Sequence, residues 1–295
     1  MITYIQALIL GIFQGVTELF PISSLGHSVL ISFLFRWDNI LNGTTNKASN
    51  FLLFLVVVHV ATALSLLFYY RKTWVRIIKA WIASIIHRDL GSRDAKLAWL
   101  LIAATIPAGL IGFVFQSKLQ DQFAKPLSAI IFITINGFLL LIGDQYIKNK
   151  ARTTKTEHKS REQSIAHTLS FKQSVIIGVS QVAALFAGIS RTGVTMVGGV
   201  FSGLSRDEAA EFSFLLATPI ILAAGLYKLP SALSHKSAGM HGQMIVGAIA
   251  AAITAYLSVR FLDKYFKKST FRPFGIYCIV LGILLFLVGL GRGHF

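Results

Sequence analysis

The chain is short of charge, and shortest of acid. It has 12 Asp and Glu in 295 residues and 14% charged residues in all, against roughly 25% in an ordinary soluble domain. A single cysteine, Cys278, excludes an internal disulfide framework and a thiolate metal site. Six prolines are too few for a Pro-rich linker. No Lys or Arg precedes Arg36, so the apolar start lacks the basic flank of a secretory signal and is expected to stay in the folded chain. The phosphate-cradling G-x-x-x-x-G-K-[ST], the zinc-binding H-E-x-x-H and the nucleophile elbow G-x-S-x-G are all missing. P-loop, zinc-protease and α/β-hydrolase chemistries fall with them.

What remains is apolar and basic. Hydrophobic residues make up 54%, with 24 Gly and 23 Phe, and the mean hydropathy is +0.67. That composition excludes disorder and a coiled coil. The net charge of +16 would suggest nucleic acid in a soluble protein. In a chain this apolar it points instead to a membrane, whose cytoplasmic loops collect Lys and Arg. No nucleic-acid partner is expected.

A bilayer crossing needs about 20 mostly apolar residues. Six segments qualify: Phe51–Tyr70, Leu97–Phe115, Leu127–Gly143, Phe212–Tyr227, Met244–Val259 and Phe274–Leu290. Among Asp, Glu, His, Lys and Arg, their only member is His59. It either reaches a site or bonds a neighbouring helix. Two further apolar regions, Met1–Phe35 and Phe171–Gly203, are broken by Pro, Gly and Ser and hold Gln, Glu, His and Arg.

Loop charge sets an orientation. Residues 71–96, 148–172 and 260–272 read as loops and carry seven, seven and five of the 28 Lys and Arg. The alternate loops 36–50, 117–126 and 228–241 carry two each. The first set is cytoplasmic by the positive-inside rule. Met1–Phe35 then enters and leaves from the outer face, and Phe171–Gly203 from the inner face. The expected fold is an all-α integral membrane protein with about six transmembrane helices and two re-entrant helical hairpins. It forms one polytopic domain over 1–295, with halves of about 1–147 and 171–295 and a basic cytoplasmic loop at 148–170.

The two broken regions share a pattern. Gly11-Ile12-Phe13-Gln14 is followed by Leu19-Phe20-Pro21-Ile22-Ser23-Ser24-Leu25-Gly26, and Gly178-Val179-Ser180-Gln181 by Leu185-Phe186-Ala187-Gly188-Ile189-Ser190-Arg191-Thr192-Gly193. Both read G-x-x-Q, L-F, I-S-x-x-G with a one-residue slip. Similar segments with opposite entry make an inverted-topology repeat, whose broken helices meet at a central site. Helix N-termini at such a point suit an anion such as phosphate.

The polar residues there carry the chemistry. Gln14 and Glu18, four apart, share a helix face, and an intramembrane carboxylate costs about 2.5–3.5 kcal/mol on insertion scales. Ser24 is a candidate nucleophile and His27, three residues on, a candidate base or acid. Capping accounts for one of Ser23 and Ser24 without chemistry. Arg191 presents a planar fork that matches phosphate bidentately, and the plain alternative for it is an ion pair with Glu18. Thr192 and Thr195 can donate to phosphate or bond their own helix. Ser205 and Glu208 fit a capping box, and Asp144 reads as interfacial.

At these residues the sequence resembles the undecaprenyl-diphosphatase family, also called the bacitracin-resistance protein family. Gln14 to His27 is similar to that family's [E/Q]-x-x-x-E and P-[VI]-S-S-[ST]-G-H motifs, and Ala187 to Gly193 to its P-G-x-S-R-[ST]-G motif. Ser202–Arg206 and Ala210–Ala217 match a third stretch. The resemblance implies a multi-pass enzyme of the bacterial cytoplasmic (inner) membrane, with its site toward the periplasmic face. Such an enzyme converts undecaprenyl diphosphate to the monophosphate carrier for peptidoglycan and confers bacitracin resistance. By the same resemblance Glu18, Ser24, His27 and Arg191 are catalytic, and Gln14, Ser23, Ser190, Thr192 and Gly193 bind substrate. Direct water attack with Glu18 as base is the alternative to a Ser24 nucleophile. A divalent cation, Mg²⁺ or Ca²⁺, is expected on Glu18 with Gln14. Membrane lipids surround the chain, and a homodimer is compatible with the family. Three departures stand out: Gln14 where many members have Glu, Leu25 for a hydroxyl residue, and Ala187 for Pro. The rival class is a secondary transporter or flippase for a phosphorylated lipid or anion, since inverted repeats are common there.

Overall fold

The computed structural model describes residues 2–37, 40, 50–120, 125–153, 165–232 and 239–293. Among them no strand occurs, and the helices follow in order. These are α1 (Tyr4–Thr17), α2 (Ser24–Leu34), α3 (Asn50–Tyr69), α4 (Arg71–His87), α5 (Arg93–Gln120), α6 (Pro126–Thr153), α7 (Ile165–Thr168) and α8 (Phe171–Ser180), the last continued as a 3₁₀ turn over Gln181–Leu185. Then come α9 (Arg191–Phe201), α10 (Arg206–Ala232), α11 (His241–Tyr265) and α12 (Arg272–Gly291).

Six helices are long and apolar enough to cross a membrane, over Phe51–Tyr69, Arg93–Phe115, Pro126–Lys150, Arg206–Pro230, His241–Tyr265 and Arg272–Gly291. They coincide with the six segments expected from composition. Their outward surface is apolar, with Phe113, Leu226 and Leu287 exposed, which suits a hydrocarbon solvent.

Three loop expectations need correction, the shortest in that residues 260–265 of the expected loop 260–272 continue α11. Residues 71–96 include a helix, α4, despite their seven basic residues. Trp74, Ile77, Trp81 and Ser84 fall on one face at helical spacing. Ile77 is buried, Trp81 packs edge-on against Trp99, and the Trp99 indole donates to Ser84 Oγ at 3.1 Å. Residues 148–153 extend α6, and 165–168 form α7 with Ile165 and Ala166 buried. Leu169 and Ser170 lead into α8, which Ser170 caps, and residues 154–164 of the expected 148–170 loop lie outside the described residues. So do 41–49, 121–124 and 233–238, parts of the three lightly charged loops.

Close helix contacts are made where glycine removes the side chain. Gly11 on α1 lies against Gly247 on α11, and a Cβ there would stand 2.4 Å from the Gly247 carbonyl oxygen. Gly178 on α8 meets Ala104 on α5 in the same way, also at 2.4 Å. These are the glycines of the two G-x-x-Q segments. In addition α6 packs along α12, and α3 along α10 and α11.

Asp144 is buried among its protein neighbours and is paired with Lys148 at 3.1 Å and Arg206 at 3.0 Å. The capping box is present as read: Ser205 N–H donates to Glu208 Oε2 at 2.9 Å, and Glu208 N–H to Ser205 Oγ at 3.4 Å.

Candidate active site

Both broken regions fold as helix, tip, helix. In the first, α1 ends at Thr17, residues 18–23 turn, and Ser23 caps α2 by accepting the Gly26 N–H at 3.2 Å. Ser23 holds a left-handed φ of 75°, an uncommon conformation for a side-chain-bearing residue and one that often marks a functional turn. In the second, the 3₁₀ turn leads to Gly188 at φ 112°, and Ser190 caps α9 by accepting the Gly193 N–H at 3.1 Å.

The tips touch. Ser23 Oγ also accepts the Gly188 N–H at 3.2 Å. A Cβ on Gly26 would stand 2.9 Å from Gly188 Cα. Asn136, in the middle of α6, bridges both tips. Its Nδ2 donates to the Pro21 carbonyl at 2.8 Å, and its Oδ1 accepts the Ser190 N–H at 2.9 Å. Thr192 donates to the Glu18 carbonyl at 2.7 Å. Each bond satisfies a backbone group freed where a helix breaks, as a low-dielectric interior requires.

Glu18 is the hub. One carboxylate oxygen, Oε1, pairs with the Arg191 guanidinium. The other, Oε2, accepts from Ser24 Oγ at 2.5 Å and from Gln14 Nε2 at 3.0 Å, and lies 3.3 Å from His59 Nε2. The Glu18 side chain is 6% exposed and that of Arg191 18%. Arg191 leans further on the Ala217 carbonyl at 3.5 Å. A buried carboxylate with this many donors is paired rather than stranded. The ion pair named from sequence as the plain reading of Arg191 is thus present.

A cavity of about 380 Å³ opens on this cluster. Glu18, Ser23, Ser24, Ser190 and Arg191 contribute to its wall, and Leu52, Val56, Leu185 and Ile221 make much of it apolar. His59 and Lys228 face it as well.

The expected site residues do not all meet there. Gln14, Glu18, Ser24 and Arg191 come together through side chains, and Ser23 and Ser190 join them at the wall. Thr192 is spent on the Glu18 carbonyl, while Gly193 packs within 3.1 Å of Asn136 Oδ1, counted from a virtual Cβ. His27 is turned away from Ser24. Its Nδ1 meets the Ser23 carbonyl at 2.7 Å, its Nε2 meets Tyr277 Oη at 2.9 Å, and the two rings stack. A carbonyl only accepts, so Nδ1 carries the proton and the tyrosine hydroxyl donates to Nε2. Thr195 bonds the Arg191 carbonyl at 2.9 Å and Ser213 Oγ at 2.5 Å.

Sequence reading passed over Asn136 and Lys228 and left His59 undecided. A lone Asn in an apolar span was the available signal for the first. For the second it was a Lys at the end of a span whose outer loop has little charge.

The residues do not form a cage for a resident divalent cation. Among the described residues no group of three or more His, Cys, Asp or Glu is placed to hold a metal. Both oxygens of Glu18 are taken by donors, one of them a guanidinium. Gln14 Oε1 is buried without a hydrogen-bond partner, yet one amide oxygen beside an engaged carboxylate falls short of the oxygen set that Mg²⁺ or Ca²⁺ takes.

Known proteins match along nearly the whole chain. Residues 7–284 match the family model described as bacitracin resistance protein BacA. The chain is 40% identical to undecaprenyl-diphosphatase 2 of Frankia alni, covering 96% of this chain and 97% of that protein. It is 41% identical to undecaprenyl-diphosphatase of Mycolicibacterium paratuberculosis, covering 95% of each. With undecaprenyl-diphosphatase 2 of Chromobacterium violaceum it shares 41% identity over 95% of this chain and 96% of that one. The spans, the paired tips and the Glu18 cluster thus sit in one continuous stretch of likeness, and the chain belongs to the bacitracin resistance protein BacA family.

Proposed function

We propose that this protein is an undecaprenyl-diphosphate phosphatase, which removes the terminal phosphate of the lipid diphosphate and returns the monophosphate carrier. One observation carries the reading. Glu18 holds the Ser24 hydroxyl on one oxygen and the Arg191 guanidinium on the other, at the wall of a cavity. A nucleophile, its base and a phosphate-binding cation are in one place.

The steps follow from those contacts. The diphosphate enters the cavity and takes Arg191 from Glu18, so the guanidinium moves to the phosphate oxygens. Glu18, freed of its counter-ion, is the stronger base. It accepts the Ser24 proton at Oε2 while Oγ bonds to the terminal phosphorus. The bond from that phosphorus to the bridging oxygen breaks, and lipid monophosphate departs with the electron pair. The proton taken up by Glu18 ends on the departing lipid phosphate, and Glu18 then takes one from water. The water oxygen displaces Ser24 Oγ, which regains a proton, and inorganic phosphate leaves. Gln14 fixes the Glu18 carboxylate. His27 holds the first tip through Ser23 and Tyr277. Ser23, Ser190, Thr192 and Gly193 shape the two capped helix starts that face the anion. A divalent cation enters this reading only as a counter-ion carried on the diphosphate, the usual way Mg²⁺ meets phosphate sites.

The membrane arrangement belongs to the same proposal: one domain, an inverted repeat and two re-entrant hairpins. Packing supports it. Exchanging α1 with α8, α3 with α10 and α5 with α11 turns the α1–α11 contact into α8–α5 and the α3–α11 contact into α10–α5, and all four occur. The cavity wall runs from Leu52, early in α3, to Lys228, late in α10. Both ends adjoin lightly charged loops, which supports an opening on the periplasmic side of the inner membrane. The apolar wall suits isoprene units.

The test is phosphate release from undecaprenyl diphosphate by the purified protein in detergent. Release is expected at enzymatic rates. Movement of the lipid in sealed vesicles with no phosphate released would favour a transporter and overturn the reading.

A further inference from the structure

Among the described residues His59 is the one histidine at the Glu18 cluster, and its surroundings define where its protons sit. Nδ1 lies 2.7 Å from the Leu55 carbonyl, one turn back on α3. A carbonyl can only accept, so Nδ1 carries a proton. Nε2 lies 3.3 Å from Glu18 Oε2. Two bare lone pairs would repel at that distance, so a proton lies between Nε2 and Oε2. The Glu18–His59 pair therefore holds one proton that the Ser24–Glu18 pair alone would not.

Exposure gives the pair a direction. The His59 side chain is 25% exposed and that of Glu18 6%, and His59 faces the cavity that also meets Arg191 and Lys228. Glu18 touches the nucleophile, and His59 touches both Glu18 and the space where the leaving group must pass. The charged groups around it are few. Arg191 on α9 and Lys228 on α10 share the cavity with it. Helix α1 has no Asp, Glu, His, Lys or Arg, and α11 has none between residues 242 and 259. Asp263 on α11 stands at the other end of α3, 3.4 Å from Tyr69 Oη.

We infer that His59 is the proton carrier of the reaction, passing the proton that Glu18 takes from Ser24 to the departing lipid phosphate. The inference rests on the reading of Glu18 as base to Ser24. The balance is simple. As Ser24 Oγ bonds to phosphorus, its proton goes to Glu18 Oε2. The bridging oxygen leaves with its electron pair and takes the proton from His59 Nε2. The proton on Glu18 then moves to Nε2, which restores the carboxylate for attack by water. No oxidant or further reactant is needed.

The test compares wild type with His59→Gln and His59→Ala in detergent, each first shown to be monodisperse by gel filtration. Gln can donate to Glu18 but cannot relay a proton. For His59→Gln, kcat on undecaprenyl diphosphate should fall at least tenfold with KM within about threefold. For His59→Ala, free imidazole should restore at least fivefold of the lost rate through the open cavity. A His59→Gln enzyme with wild-type kcat overturns the inference. So does a slow His59→Ala enzyme that imidazole does not rescue. Absence of phosphate release from wild type would instead overturn the phosphatase reading itself.

Discussion

Ser23 Oγ accepts the backbone N–H of Gly188 at 3.2 Å, so the tip of one broken helix pair is tied directly to the tip of the other. These residues lie 165 positions apart, and each takes a positive φ, 75° and 112°. The two turns hold each other in contact through this bond and through Asn136, and the Glu18–Ser24–Arg191 cluster is built on that junction.

Replacing Gly188 tests the junction first. A Cβ there would stand 2.6 Å from the Ala129 carbonyl oxygen and 2.7 Å from Ile133 N, on a backbone that side-chain-bearing residues rarely adopt. Gly188→Ala should cost roughly 1–3 kcal/mol for the conformation alone, more with the clash. Thermal unfolding in detergent checks it: the midpoint should fall by several degrees.

Asn136 is the second test. Asn136→Ala leaves the Pro21 carbonyl and the Ser190 N–H without their partner, at about 1–3 kcal/mol per buried group. Both tips should loosen together. Amide hydrogen exchange should rise at residues 20–24 and 187–191 at once, and phosphate release should fall. A rise confined to one tip would show that Asn136 does not join them.

Ser24 should carry phosphate during turnover. Rapid quenching with substrate labelled on the terminal phosphate should leave label on Ser24. Ser24→Ala should lose at least about two decades in rate, the scale expected when a positioned catalytic group is removed. Full activity in Ser24→Ala would favour direct water attack with Glu18 as base.

Lys228 meets the cavity without touching the Glu18 cluster. It is half-exposed and lies over the Tyr227 ring at 5.1 Å. Its charge should act on binding and not on the chemical step. Lys228→Ala should raise KM about three- to tenfold with kcat nearly unchanged, the pattern of uniform binding lost.

The six spans were legible because a bilayer core demands about 20 apolar residues in a row. The broken regions were legible because polar residues and helix breakers at that depth need a reason. Helix α4 was not, since its seven-residue basic surroundings masked an apolar face set by Trp74, Ile77 and Trp81. Spacing put Ser24 and His27 within one turn of each other, yet it could not say which neighbouring helix each would meet. Ser24 reaches Glu18, and His27 reaches Tyr277, 250 positions away. Asn136 was hidden, and His59 left between two readings, for a related reason. A single polar residue in a span has many plain explanations, and only three-dimensional packing brings it to both tips or to a carboxylate.

The most direct measurement is the rate of phosphate release from undecaprenyl diphosphate by Arg191→Ala, set beside wild type under the same detergent conditions. The guanidinium is proposed to leave Glu18 and clamp the diphosphate. Its loss should remove at least the roughly 1.5–3 kcal/mol of a charge-assisted hydrogen bond, about one to two decades in rate, while the variant stays folded by gel filtration. Near-normal turnover in Arg191→Ala would contradict the site built here.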